Sequence, residues 1–458
     1  MTMDKKLTAI IISLSSLILG ALISFLLPFG MEGKKIFLES LYIESFEAEE
    51  VEYGIRFVPD ILSNALYYDA ESIHSILESQ KNRAVKSSVK HEVIANSIWN
   101  AINNMGSYSR YYQYKEKICL EVNGTKYGAY VNDGDSPIGG GVGYKDIITS
   151  GDYIVSNIDE LLDALEKAKS GEVVFIKGDA SIDITSNHLI VKQGVTLASD
   201  RGHVGDNGNV SYGAVLRTVS ASGRAIDVQE GGRITGLTLM GGDPNQHIAH
   251  HYRANYGSNP RGKAYYYTLG YVSTYGILAV GNDVRIDNCE ITGFGYAGII
   301  PYNSVKNLLV QYCYIHHNQA QGLGYGVCHE TDSESIVEYC LFNFNRHSIA
   351  ANGAPKTGYI ARFNVEMGDS LSTNFDIHGG VDRGDGTNIA GTYCEIYNNT
   401  FLSDAHPYWL RGVPEEYQVF YHNNVLNRYE SFNSNRLTGE NVEIYDNIFG
   451  ISGVIVRE

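Results

Sequence analysis

Three short segments in the last third of the chain hold acid, imidazole and guanidinium groups at spacings that could serve one reaction: Arg346-His347, Asp376-Ile-His378 and Trp409-Leu-Arg411. Successive side chains of an extended strand alternate between faces, so an inward Phe375 and Ile377 would send Asp376 and His378 out together. An inward Leu410 would do the same for Trp409 and Arg411. If neighbouring strands carry these segments, one outer face collects Arg346, His347 or Ser348, Asp376, His378, Trp409 and Arg411. Two chemistries fit that set. Elimination beside a uronic carboxylate needs a base matched to the working pH, which His378 or His347 could be, and a cation for the carboxylate, which Arg411 or Arg346 could be. Tyr325 or a second histidine could protonate the leaving oxygen. Hydrolysis needs two carboxyl groups about 5–5.5 Å apart for retention or about 6.5–9.5 Å apart for inversion. Asp376 with Asp382, Asp385 or Glu330 could supply that pair, and the residue types leave the choice open.

Asp382-Arg-Gly-Asp-Gly reads either as a glycine-supported turn or as a calcium loop in which Asp382 and Asp385 are the metal ligands, with fewer ligands than Ca2+ takes. His316-His317 is expected to be satisfied by backbone groups rather than by zinc. Between Leu239 and Val284 the chain exceeds one repeat and carries His250, Arg253, Tyr256, Arg261 and Tyr265-Tyr-Tyr267. Long loops inside a compact repeat are usually functional. Rings for sugar faces and cations for carboxylates suit an anionic polysaccharide, so His250, Arg253, Tyr256, Arg261 and Trp409 are the candidate substrate-binding residues.

What must position these groups is a repeat. Val284-Arg-Ile-Asp-Asn-Cys-Glu-Ile, Leu309-Val-Gln-Tyr-Cys-Tyr-Ile, Ile336-Val-Glu-Tyr-Cys-Leu-Phe, Cys394-Glu-Ile-Tyr-Asn-Asn-Thr-Phe, Gln418-Val-Phe-Tyr-His-Asn-Asn-Val and Val442-Glu-Ile-Tyr-Asp-Asn-Ile-Phe are copies of one unit. Aligning them puts Cys289, Cys313, Cys340, Phe363, Asn399, Asn423 and Asn447 at one position, in steps of 24, 27, 23, 36, 24 and 24 residues. Each unit alternates apolar and polar residues and then turns, and none can bury its own apolar face; stacked coils bury it for one another. A small or amide residue recurring in phase forms a ladder, with asparagines hydrogen-bonding along the stack. The expected fold is therefore an all-β solenoid, a parallel β-helix.

Ser156-Asn-Ile-Asp-Glu-Leu-Leu-Asp-Ala-Leu-Glu-Lys-Ala-Lys-Ser-Gly171 has the signals of an amphipathic helix. Ser156 is the expected N-cap, acids fill its first turn and Lys167 and Lys169 its last. It precedes the first coil strand and would cap the open end of the solenoid. This helix, the coil units, Gly322-Leu-Gly-Tyr-Gly-Val, Asn345-Arg-His-Ser-Ile-Ala, Asn374-Phe-Asp-Ile-His-Gly and Asp382-Arg-Gly-Asp-Gly-Thr resemble the right-handed parallel β-helix proteins of the pectate-lyase-like superfamily, over about residues 153–458. The resemblance implies a right-handed coil. The superfamily spans lyases, glycoside hydrolases, epimerases and non-catalytic adhesins, and the calcium-and-arginine signature of pectate lyases is not recognisable here. The expected function is a polysaccharide-active enzyme, lyase or hydrolase, on an acidic or cell-envelope glycan; the alternative is a carbohydrate-binding adhesin.

Composition bounds the rest. The chain has 458 residues, 49 glycines, 34 tyrosines and a net charge of −17, which argues against nucleic acid as a partner. Cys289, Cys313 and Cys340 share an inward coil position and read as buried thiols. After Lys5 and Lys6, Leu7 to Gly30 carries no charge and is long enough to cross a bilayer. Residues 1–30 are thus expected to be a cytoplasmic tip and single-pass anchor and 31–150 a membrane-proximal α+β segment. Residues 151–458 would be an extracellular β-helix, with Gly139-Gly-Gly-Val-Gly-Tyr as the linker.

Overall fold

The computed structural model describes residues 119–449 apart from 133, 219–221, 242–272, 319–321, 368–371, 403–404 and 426–438. The expected anchor, most of the membrane-proximal segment, and His250, Arg253, Tyr256 and Arg261 lie outside the described residues. Within them the chain visits three parallel sheets in turn, coil after coil. Sheet 1 has eleven strands, from Tyr153–Val155 to Val442–Tyr445; sheet 2 has ten, from Ser181–Asp183 to Ile448–Phe449; sheet 3 has eight, from Leu189–Val191 to Tyr408–Leu410. This is the parallel β-helix that the repeat implies. One apolar row of sheet 1 shows how the core is made: Ile234, Ile286, Val310, Val337, Ala361, Ile396 and Phe420 are register partners on successive coils, and each is buried in one continuous cluster.

The turn from sheet 1 to sheet 2 is built the same way in seven coils. Asn288, Tyr312, Tyr339, Phe363, Asn398, His422 and Asp446 all adopt φ between 51° and 56°, a left-handed conformation that costs a non-glycine residue energy. The residue after each is the ladder residue, which corrects the alignment at one place: Asn364, not Phe363, stands in line. Its side-chain amide donates to Asn399 Oδ1 (3.0 Å), Asn399 to Asn423 Oδ1 (3.1 Å) and Asn423 to Asn447 Oδ1 (3.1 Å). The hydrogen-bonded ladder compensates the strained turn. Phe363 instead points outward at the turn, stacked on Tyr339 at 5.0 Å, which stacks on Tyr312 at 4.9 Å.

Helix α1 (Ile158–Lys167) packs Leu161, Ala164 and Leu165 into the core beside the first strands of sheets 1 and 3. Its N-cap is Asn157, whose side chain accepts from Glu160 N at 3.0 Å; Ser156, the expected cap, bonds the Glu160 carboxylate instead.

Residues 119–150 belong to the same compact unit as the coils. Cys119–Val122 and Thr125–Gly128 form a hairpin, and the chain then runs lengthwise along the sheet 1–sheet 2 turn. Tyr127 OH donates to Asp446 Oδ1 (2.9 Å), Gly128 N to His422 O (2.8 Å), Gly139 N to Tyr339 O (2.8 Å), Gly141 N to Asn288 Oδ1 (2.7 Å) and Tyr144 OH to Asp287 Oδ2 (2.5 Å). The glycine cluster expected as a linker is therefore a docked strap. Its glycines are there for close approach: a Cβ on Gly140, at φ 69°, would fall 2.3 Å from Tyr312 O. Asp287, wholly buried, anchors the end of the strap and is held in turn by Arg233 at 2.8 and 2.6 Å.

Candidate functional site

Sheet 3 places the segments that could do chemistry on adjacent strands. Ala350, Asp376 and Trp409 are register partners on three successive coils. Phe375, Ile377 and Leu410 face the core, so Asp376 and Trp409 face out, as strand alternation requires. The open choice between His347 and Ser348 is decided by a β-bulge. Ser348 N (2.7 Å) and Ile349 N (3.3 Å) both donate to Asn374 O, two residues opposing one. The Ser348 hydroxyl consequently turns to Asn345 (3.3 Å), and His347 is thrown outward to the side of Asp376.

The groups converge on one carboxylate. Arg411 grips Asp376 with two hydrogen bonds, Nε to Oδ1 at 3.1 Å and Nη2 to Oδ2 at 2.9 Å. His378 Nε2 lies 3.2 Å and His347 Nε2 3.5 Å from Oδ2. Both imidazole nitrogens are buried and make no hydrogen bond of good geometry. The Arg411 guanidinium lies over the Trp409 ring, 4.1 Å from its centre. Tyr325 stacks on His347 with ring centres 5.8 Å apart, donates its hydroxyl to Gly322 O (3.1 Å) and receives Arg346 Nη1 at 3.5 Å. Asp376 and His347 are fully buried, whereas the His378 side chain is 27% and that of Arg411 16% exposed. The imidazole of His378 thus forms the open edge of the cluster.

The charge states follow from these neighbours. Burial alone would push the Asp376 carboxyl up, but His347, His378 and Arg411 outweigh it and hold the group down at about 2. Burial, reinforced by the Arg346 guanidinium, pushes His347 down to about 3. At neutral pH His347 is therefore neutral, which leaves His378 and Arg411 to hold Asp376 ionised. Because a carbonyl only accepts, His347 Nδ1 carries the hydrogen that bonds Thr373 O at 2.5 Å, which leaves Nε2 as a bare acceptor. Burial also raises the Tyr325 phenol above its ordinary value, so it stays protonated.

Not every candidate joins. Asp382, in the short helix α2 (Gly380–Arg383), accepts from Arg411 Nη1 (3.4 Å) and Gly379 N (3.3 Å). Asp385 accepts from Arg383 Nε (2.8 Å) and from the amide and hydroxyl of Thr387 (2.9 and 2.7 Å). Each carboxylate of the expected calcium pair thus already faces an arginine. Among the described residues no group of three or more His, Cys, Asp or Glu is arranged to hold a metal ion. Glu330 is taken by Tyr296 OH at 2.7 Å. His316 and His317 sit buried on sheet 2, where His316 Nε2 bonds Glu290 Oε1 (2.9 Å) and its Nδ1 meets His317 Nδ1 (2.7 Å). Side chains thus engage both members of the pair.

Two parts of the site were not foreseen: the Thr373 carbonyl that sets the His347 tautomer, and Tyr296, whose ring stands between Tyr275 (4.5 Å) and Tyr325 (6.0 Å). Tyr296-Ala-Gly-Ile aligns one residue out of step with Tyr325-Gly-Val, which hides it in the sequence.

No family model matches the chain, and no curated protein matches it. Among solved structures it is similar to an alginate lyase from Paenibacillus sp. str. FPU-7, with a TM-score of 0.41 and 15% identity over 60% of this chain and 87% of that one.

Proposed function

We propose that the protein is a polysaccharide lyase acting on an anionic, uronate-bearing glycan, with Asp376 at the centre of its site. The observation that carries this reading is the partly exposed His378 imidazole, 3.2 Å from a carboxylate that an arginine helps keep ionised. With Nε2 turned to Asp376, Nδ1 is the nitrogen left to take a proton. The buried carboxylate stabilises the imidazolium that forms, an interaction strengthened by low local dielectric. His378 removes the proton from the carbon beside the uronic carboxylate, and Arg346 and the outer edge of Arg411 balance the charge that develops there. The electron pair forms the carbon–carbon double bond as the glycosidic bond breaks, and Tyr325 protonates the leaving oxygen. Trp409 offers a ring to a sugar face.

Hydrolysis fits less well. It needs one carboxyl held protonated as the acid, whereas Asp376 is held at about 2 and shares Arg411 with Asp382. Convergence of Arg411, His378 and His347 on one carboxylate, rather than their dispersal, is what favours an enzyme over an adhesin. In this proposal the apolar run Leu7–Gly30 holds the coils at the outer face of a membrane. The full chain is tested against uronic and neutral polysaccharides by following the ultraviolet absorbance of unsaturated ends and total reducing ends together. The expected result is absorbance that falls about 10²- to 10⁴-fold in His378→Ala. Reducing ends without absorbance would establish a hydrolase, and binding without any product an adhesin.

A further inference from the structure

The outward row of sheet 3 that carries Asp376 carries a second aspartate, five strands away. Asp227 is paired with Leu278, Leu278 with Ile300, and further along Cys328 with Ala350 and Ala350 with Asp376. At about 4.8 Å per strand the two carboxylates stand about 24 Å apart along the coil axis. The surroundings of Asp376 recur at Asp227. His188, at the head of the preceding coil's sheet 3 strand, places Nε2 3.1 Å from Asp227 Oδ1, as His347 does for Asp376, and Arg224 Nη1 lies 3.2 Å from Oδ2. Here, however, the imidazole is 41% and the guanidinium 45% exposed, over a carboxylate that is only 13% exposed. Arg224 uses one nitrogen on Asp227, and among the described residues its other donors make no hydrogen bond. They are open to a ligand.

The two clusters are joined by rings. Arg224 is the register partner of Tyr275, Tyr275 of Ala297, Ala297 of Tyr325 and Tyr325 of His347. Tyr296 bridges the small step at Ala297, and its ring and that of Tyr275 are half-exposed. A line of phenols therefore leads from Arg224 to the Asp376 cluster, parallel to the coil axis.

We infer that Arg224, His188 and Asp227 form a distal subsite for the same glycan, five coils from the cleavage site, where Arg224 takes a uronic carboxylate and Asp227 sugar hydroxyls. This rests on the reading of the Asp376 cluster as a glycan site. Its consequence is chain-length selectivity: only a polymer or a long oligosaccharide reaches both clusters, and a trisaccharide does not. The test measures dissociation constants and steady-state kinetics of the full chain for polygalacturonate and alginate, as polymers and as trisaccharides, in wild type, Arg224→Ala and His188→Ala. The expected result is polymer affinity weakened about tenfold in Arg224→Ala, with kcat and the KM for trisaccharides unchanged and the same thermal midpoint. Polymer affinity equal to wild type in both variants overturns the subsite, as does an equal loss for trisaccharides or a wild type that retains neither polymer. Wild-type protein that binds polymer without cleaving it sinks the lyase reading alone, and polymer binding lost in Arg224→Ala would still support the subsite.

Discussion

Glu366 gives the sharpest physical test of the structure. It points into the solenoid core in the row between Phe342 and Phe401, and neither carboxyl oxygen has a hydrogen-bond partner of good geometry. Burial pushes the group from the ordinary 4.5 up to about 8, only partly opposed by Ser348, so it is protonated at neutral pH. In the unfolded chain it ionises above 4.5. Between those values the folded state binds a proton that the unfolded state has released, so the contribution to stability is complete below pH 4.5 and falls as pH rises to 8. At about 1.36 kcal/mol per pH unit, the loss between pH 5 and pH 7 is about 2.5 kcal/mol. Glu366→Gln removes the titration while keeping the shape. The buried amide has a fixed cost of its own, about 1–3 kcal/mol if unpaired, but that cost does not change with pH. The assay is urea unfolding of both proteins at pH 5, 6 and 7, read as the difference between them, which cancels every other titrating group. The variant should gain on the wild type by about 2.5 kcal/mol across that range. A difference independent of pH would mean that Glu366 is solvated or paired in the folded protein, and the argument from burial would be wrong.

Other predictions concern the site and the coil. Arg411→Ala leaves Asp376 buried without its counter-charge and should cost about 3–5 kcal/mol by urea denaturation, whereas Arg411→Ala combined with Asp376→Asn should recover most of it. The depressed Asp376 carboxyl stabilises the fold above the ordinary 3.8 and loses that contribution as pH falls towards about 2, so Asp376→Asn should unfold with a flatter pH dependence below pH 4 in acid titration followed by circular dichroism. Asn423→Ala interrupts the ladder between Asn399 and Asn447 and should cost about 1–3 kcal/mol, seen as a lower urea midpoint. Gly140→Ala should free the strap from Tyr312 and Asn288, giving faster amide exchange at Gly139 and Gly141 while coil amides keep their protection.

The period near 24 residues made the solenoid legible, because it repeats a turn whose geometry tolerates little variation. It misled by one residue at Phe363, where an aromatic side chain at the left-handed turn looks as apolar as a ladder residue and a long insertion precedes the next copy. Strand alternation was enough to bring Asp376, His378, Trp409 and Arg411 to one face. It was not enough for His347, since a bulge reverses the alternation and no residue type announces one. Local spacing left Asp382 and Asp385 open between a turn and a calcium loop; the arginine that faces Asp382 comes from the next coil, 29 residues on. The strap was invisible for the same reason on a larger scale, its hydroxyl contact spanning 319 residues of sequence.

That strap changes how such a molecule should come apart and be made. A stack in which each layer touches only its neighbours tends to fray from its ends, yet here one segment is bonded both to the layer of Asp287 and to that of Asp446. Peeling the last layers away must therefore also break bonds made by residues synthesised before the first one. During synthesis the far end of the strap cannot reach His422 and Asp446 until the last layers exist, so a segment made before the coils completes its docking only after them. A truncated chain lacking the final layers would keep most of its stack but lose the far anchor of this fastening, and its hydroxyl at Tyr127 would be the earliest reporter that the molecule is incomplete.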